Sequence, residues 1–184
     1  MFIQTENTPN PNALKFMPGV DISPEGPVFF SNFDEARGKS SLAAKIYDIG
    51  SIEAVFFGAD FITVTKNDLA DWNFLKPEIL MTIMDHLVAG LPVFEGNNQQ
   101  CSEINFEELS EIEKQIVEII ETRVRPSVAM DGGDIIYKGF KDGVVYLQLN
   151  GACSGCPSST VTLKNGIESM LKHYVPEVGS VESI

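Results

Sequence analysis

The chain has 184 residues, 43% hydrophobic and 21% charged, a globular balance that leaves room for one ordinary domain or two small ones and argues against disorder. Its 13 basic and 26 acidic residues give a formal net charge of −13, which argues against a broad nucleic-acid surface and against anionic membranes, since no cationic excess exists to release counterions. Three cysteines, an odd number, exclude a fully paired disulfide framework, and no apolar run approaches the roughly 20 residues of a membrane span.

The opening stretch Met1-Phe2-Ile3-Gln4-Thr5-Glu6 has no basic region followed by an apolar core, and no Arg-rich, acid-poor segment. Neither a secretory signal nor a transit segment is expected, and a reducing, aqueous compartment follows. The first half reads as mixed α/β. Asn10-Pro11-Asn12 is a turn, Ala13 to Phe16 a short extended piece ending before Pro18-Gly19, and Ser23-Pro24-Glu25-Gly26-Pro27 a loop. Phe29, Phe30 and Phe33 lie in a loop-like region and are expected to pack under the sheet. Ser40 and Ser41 cap a short helix carrying Leu42 and Ile46. Ile52 to Phe57 and Phe61 to Thr65, separated by Gly58-Ala59-Asp60, read as a hairpin. Trp72, Phe74 and Leu75 are expected as core anchors. Pro77 suits a first helical turn, and Ile79, Leu80, Ile83, Met84, Leu87 and Val88 recur at helical spacing up to a stop at Gly90.

From about Glu95 the composition turns polar, and Gly96-Asn97-Asn98-Gln99-Gln100 has no apolar period. The expected organisation is a first domain over 1–92, a flexible linker over 93–106 and a second domain over 107–184. In the second domain Ser110 with Glu113, or Asn105 with Glu108, forms a capping box. A helix follows with Leu109, Ile112, Ile116, Ile119, Ile120 and Val124 on one stripe, ended by Pro126, with Arg123 and Arg125 at its negative pole. Ile135 to Phe140 and Val144 to Leu149 make a hairpin across Lys141-Asp142-Gly143. Pro157 opens a helix with Leu163, Ile167, Met170, Leu171 and Tyr174 inward, and Val178 and Val181 return as a strand. The order is α-β-β-α-β, and the fold class is two small mixed α/β (α+β) domains.

The chemistry is expected in Gly151-Ala152-Cys153-Ser154-Gly155-Cys156-Pro157. A two-residue spacer lets the sulfurs of Cys153 and Cys156 turn toward one point, and a helix start lowers a thiol pKa and favours thiolate, which binds metal or attacks disulfides. The 25 residues from Gly143 to Ile167 contain no Asp or Glu, where the chain-wide frequency would place about 3.5, which suits an anionic cluster. Three uses compete: a dithiol–disulfide redox pair, half of a zinc site and half of an iron–sulfur site. Zinc structural sites and the common clusters take four protein ligands, and the motif offers two. Cys101 sits in the linker, His86 in a helix of the other half, and His173 near the far end of a helix of about 24 Å. A metal site therefore needs Cys153 and Cys156 from each of two chains, whereas a redox pair needs no second chain. Asp131-Gly132-Gly133-Asp134 reads as a turn with glycines at positive φ. Ser158 and Ser159 read as helix-cap groups, Cys101 as incidental, and His86 and His173 as surface or boundary residues.

Met130-Asp131-Gly132-Gly133-Asp134, the cysteine segment through Ser158-Ser159, and Thr162-Leu163-Lys164-Asn165-Gly166-Ile167-Glu168 resemble the C-terminal domain of NifU-like (Nfu) proteins. Gln4-Thr5-Glu6-Asn7-Thr8-Pro9-Asn10-Pro11-Asn12-Ala13-Leu14-Lys15-Phe16 resembles the start of the Nfu N-terminal domain. The resemblance covers nearly the whole chain in the same order. It implies an iron–sulfur cluster scaffold or carrier, not an enzyme, in which Cys153 and Cys156 hold a labile [4Fe–4S] cluster, or a [2Fe–2S] cluster, shared by two subunits. The implied partners are a second copy, an upstream cluster donor and apo iron–sulfur clients, with no nucleic acid and no membrane. The implied compartment is the bacterial cytoplasm or, for a mature organellar form, the mitochondrial matrix.

Overall fold

Period-two apolar alternation builds the first sheet. Leu14 and Phe16, Val55 and Phe57, and Ile62 and Val64 each sit two residues apart, which puts each pair on one face of its strand. The computed structural model describes residues 2–95, 109–154 and 157–184, without the side chains of 157–160. The chain divides into two compact units, Met1–Cys101 and Ser102–Ile184.

The first unit holds β1 (Gln4–Asn7), β2 (Ala13–Met17), β3 (Val28–Phe30), α1 (Phe33–Lys39), α2 (Ser41–Asp48), β4 (Ile52–Phe57), β5 (Ile62–Lys66) and α3 (Trp72–Val88). Its sheet has the order β1-β2-β5-β4-β3, antiparallel throughout. Ala36, Leu42, Ala43, Ile46, Leu75, Ile79 and Ile83 from the helices meet the strand residues in one core. Ser40 caps α2, its hydroxyl accepting from the Ala43 N–H at 3.1 Å.

Several expectations change here. Gln4–Asn7 is a strand, because its backbone pairs with β2 along an edge where side-chain polarity costs nothing. Phe30 is buried at an edge-to-face distance of 5.4 Å from Phe57, whereas Phe33 is partly exposed beside Tyr47. Pro77 is the sixth residue of α3, not in its first turn. It lies on the exposed side, where the unbonded Asn73 carbonyl can turn to water. Of the expected anchors Leu75 is buried, Trp72 is half-buried with its indole N–H donating to the Pro11 carbonyl at 3.0 Å, and Phe74 points to solvent. Met84 and Val88 are likewise exposed.

His86, expected at a surface or boundary, is buried. It fastens the segment after α3: its Nε2 lies 3.0 Å from the Pro92 carbonyl and its Nδ1 3.4 Å from the Lys45 Nζ. A carbonyl only accepts and an ammonium only donates, so the ring is neutral with the proton on Nε2. Ser40 and Ser41 donate to the Val93 and Pro92 carbonyls, and the Glu95 N–H donates to Lys39 O at 2.9 Å. Val93 and Phe94 thus pack on the first core.

The second unit holds α4 (Glu111–Ile119), a π-helical segment (Ile120–Val124), α5 (Arg125–Met130), β6 (Gly133–Lys141), β7 (Val144–Gly151), α6 (Pro157–Tyr174) and β8 (Ser180–Ser183). Ser110 and Glu113 form the reciprocal capping box. The helix does not end at Pro126: a wide turn, in which the Arg125 N–H reaches back to the Ile120 carbonyl, absorbs the proline and the helix runs on to Met130. The sheet order is β6-β7-β8, antiparallel in the hairpin and parallel between β7 and β8. Ile116, Val117, Ile120, Val124 and Val128 pack with Ile135, Val145, Leu147, Ile167, Leu171 and Val181 in the core.

Candidate metal centre

The middle strand β7 runs out at Gly151, and the chain bends at once. The Ser154 N–H and hydroxyl both donate to the Gly151 carbonyl, at 3.1 and 2.8 Å. This small turn holds Cys153 against the second core, 5% exposed. Cys156 lies outside the described residues, as do Cys101 and the side chains of Ser158 and Ser159.

The neighbouring loop fixes the same turn from below. Asp131-Gly132 links α5 to β6, with Gly132 at φ 80° and Gly133 already extended, so one of the two glycines adopts the expected positive φ. The Ala152 N–H donates to the Gly132 carbonyl at 3.1 Å, and Gly133 pairs with Gly151 across the ladder. A Cβ on Gly133 would stand 2.7 Å from the Cys153 Sγ and 2.7 Å from the Asn150 carbonyl oxygen. Glycine is required there for contact, not for backbone freedom.

Asp134 is the buried anchor of this loop, 3% exposed. Its carboxylate receives Arg125 Nε at 2.7 Å and Nη2 at 3.2 Å, while Arg125 Nη1 bonds Glu121 at 2.7 Å. The bonds to Asp134 come first, and with those to Glu121 they hold the guanidinium protonated above its usual range, against burial that works the other way. Arg125 is therefore the clamp of the loop under the cysteine and not the end of a helix. Sequence reasoning missed this pairing. Its signal, an arginine nine residues before a buried aspartate, becomes readable only once α5 folds back on β6.

Electrostatics are mixed in origin. The acid-free run spans β7 and most of α6, but β6 brings Asp134 alongside Asn150, and the Arg125 charge offsets it. The capping carboxylate of Glu113 accepts from Ser110 and, at 2.9 Å, from the Tyr137 hydroxyl. The Ser110 bonds lead in holding its pKa below the ordinary carboxylate value. Burial leads, with the Glu113 bond following, in holding the Tyr137 phenol well above its own.

Among the described residues no group of three or more His, Cys, Asp or Glu side chains is placed to hold a metal ion. Both ring nitrogens of His86 are engaged within the first unit, and His173 lies edge-on to Tyr174, whose ring also receives Arg123. The described portion of the site is thus one sulfur, Cys153, on a turn after β7 that its own Ser154–Gly151 bonds and the neighbouring Gly132 loop tie down.

The chain matches the NifU-like domain family over residues 116–182 and the family described as scaffold protein Nfu/NifU N terminal over residues 3–90. It is 50% identical to the human protein named "NFU1 iron-sulfur cluster scaffold homolog, mitochondrial", spanning 100% of this chain and 72% of that one. It is 45% identical to the Drosophila simulans protein of the same name, spanning 100% of this chain and 65% of that one. A solution NMR structure of a NifU-like protein from Saccharomyces cerevisiae is 31% identical and covers 52% of this chain and 85% of its own, with a TM-score of 0.47.

Proposed function

The chain belongs to the Nfu/NifU scaffold-protein family, and from that premise we propose that it is an iron–sulfur cluster scaffold that carries its cluster as cargo between two copies of itself. Cys153 and Cys156 of each copy supply the four thiolates of a [4Fe–4S] cluster. The observation that carries the reading is the ligand shortage: two cysteines in the motif, and no third candidate beside Cys153 among the described residues. The names of the human and fly relatives support the iron–sulfur cargo, and their mitochondrial designation supports the organellar one of the two expected compartments.

Transfer follows from the same shortage. A client thiolate forms one new Fe–S bond as one Fe–S(Cys) bond breaks, and the released cysteine takes up a proton. Parting the two copies uncovers the cargo, so exchange proceeds one bond at a time to an apo-protein. Nothing is turned over, and the role is that of a carrier, not of an enzyme. The polar stretch that contains residues 96–100 serves as the linker between a first domain and a cluster-binding second domain.

Anaerobic reconstitution followed by iron and sulfide analysis, Mössbauer spectroscopy and mass measurement tests the proposal. The expected result is one four-iron cluster per dimer, lost in Cys153→Ser/Cys156→Ser. A monomer that retains four irons, or a serine variant that keeps its iron, overturns it.

A further inference from the structure

The helix α3 buries Leu75, Ile79, Ile83 and His86 and leaves its outer face apolar. Phe74, Met81 and Val88 recur every seven residues and are 77%, 58% and 68% exposed. Pro77, Met84 and Leu91, each three residues further on, are exposed beside them. Phe74, Pro77, Met81, Met84 and Val88 form a seam about 21 Å long on the helix, with the spacing of a helix that packs along another helix, and Leu91 follows just beyond its end. An apolar strip of this length on a soluble chain marks an interaction site more often than chance exposure does. The exposed charges of α3 are both acidic: Glu78 and Asp85, four residues after Phe74 and Met81 and hence along one flank of the seam.

That flank selects the occupant. Two copies packed antiparallel through this seam would set acid against acid. Packed parallel, they would set Glu78 and Asp85 against the half-buried apolar Leu80 and Leu87. A partner helix with an apolar seam and Lys or Arg beside it meets both demands. Met81 and Met84 add an unbranched, adaptable surface that accommodates more than one such sequence.

We propose that the outer face of α3 is a docking surface for a basic amphipathic helix of another protein. This does not depend on the cluster chemistry and is measured on the cluster-free full chain. The probe is a fluorescein-labelled helical peptide of about 21 residues with Leu along its seam and Lys beside it, paired with a twin carrying Glu for Lys, titrated by anisotropy at about 0.15 M salt. The basic peptide is expected to bind at least about tenfold more tightly than its twin. Met81→Gln/Val88→Gln, with unchanged circular dichroism, weakens it by about tenfold or more, and Glu78→Lys/Asp85→Lys reverses the order of the two peptides. Asp21→Lys/Asp60→Lys makes the same charge change on exposed loops and leaves the basic peptide within about twofold. Four results overturn the proposal: no binding to the full chain, equal binding of the two peptides, equal effects of the loop and helix charge reversals, or a dimer in sedimentation that Met81→Gln/Val88→Gln abolishes.

Discussion

Gly133 lies against the sulfur of Cys153: a methyl group at Gly133 would stand 2.7 Å from Sγ, well inside contact distance. The Asn150 carbonyl closes the other side at the same distance, so the added carbon has no free direction and the cysteine turn must shift. Gly133→Ala is expected to lower the stability of the second unit by about 1–3 kcal/mol, the usual cost of overpacking. It is also expected to reduce the iron retained per folded chain after reconstitution. Urea titration and iron analysis of the folded fraction check the two effects separately. Unchanged iron loading would separate Gly133 from the site.

The Arg125–Asp134 fork has a definite asymmetry. Asp134 is nearly buried, whereas Arg125 keeps a third of its side chain in solvent. Removing the arginine strands a buried carboxylate, and Arg125→Ala is expected to cost about 2–3 kcal/mol, less than a fully buried pair because of that exposure. Arg125→Lys restores the charge without the fork and should recover part of the loss. The urea midpoint of the second unit measures both.

Glu113 joins the start of α4 to Tyr137 of β6 through its carboxylate, which accepts from the Ser110 N–H and hydroxyl and from the Tyr137 hydroxyl. Its folded-state pKa lies below the ordinary 4.5. The stabilisation is therefore complete above that value and is lost as pH falls through the folded-state value. Glu113→Gln should be less stable near neutrality and should show a shallower acid loss than the wild type below about pH 4.5. Circular dichroism of both proteins across an acid titration reads the difference. Parallel acid curves would remove Glu113 from the account.

His86 gives the first unit a separate and earlier acid response. Burial first, then the charge of Lys45, depress its pKa below 6.5, while the Pro92 carbonyl opposes them. A base depressed in the folded state leaves stability intact above its unfolded pKa, and stability declines as pH falls through the folded value. Trp72 is the chain's one tryptophan and lies in the first unit, so its fluorescence isolates that unit. The expected result is a urea midpoint that declines as pH falls below 6.5, with a smaller decline in His86→Gln.

Local signals carried the sequence reading a long way. The Ser40 cap, the Ser110–Glu113 box, both hairpins and the α-β-β-α-β order were readable because each depends on residues a few positions apart. β1 was not readable, since Gln4–Asn7 is polar and becomes a strand only through its partner β2. α1 was hidden by its length of seven residues and by Gly38 inside it. At the site the cysteine motif was plain. The contacts of Gly133 with Cys153 and of Arg125 with Asp134 were not, because they arise from a helix doubling back onto a strand. His86 looked ordinary because its partners Lys45 and Pro92 come from a different helix and a later loop.

The wide turn at Ile120–Val124 also sets the helix phase. One extra backbone position there rotates everything downstream by about 100° relative to an uninterrupted α-helix. Deleting a single residue from that turn would set Pro126 inside a tight α-helical ladder that it must kink, while swinging the guanidinium of Arg125 away from Asp134 and releasing the floor beneath the sulfur. In this chain a local irregularity of the spiral sets the aim of a group on which the cysteine-bearing turn relies.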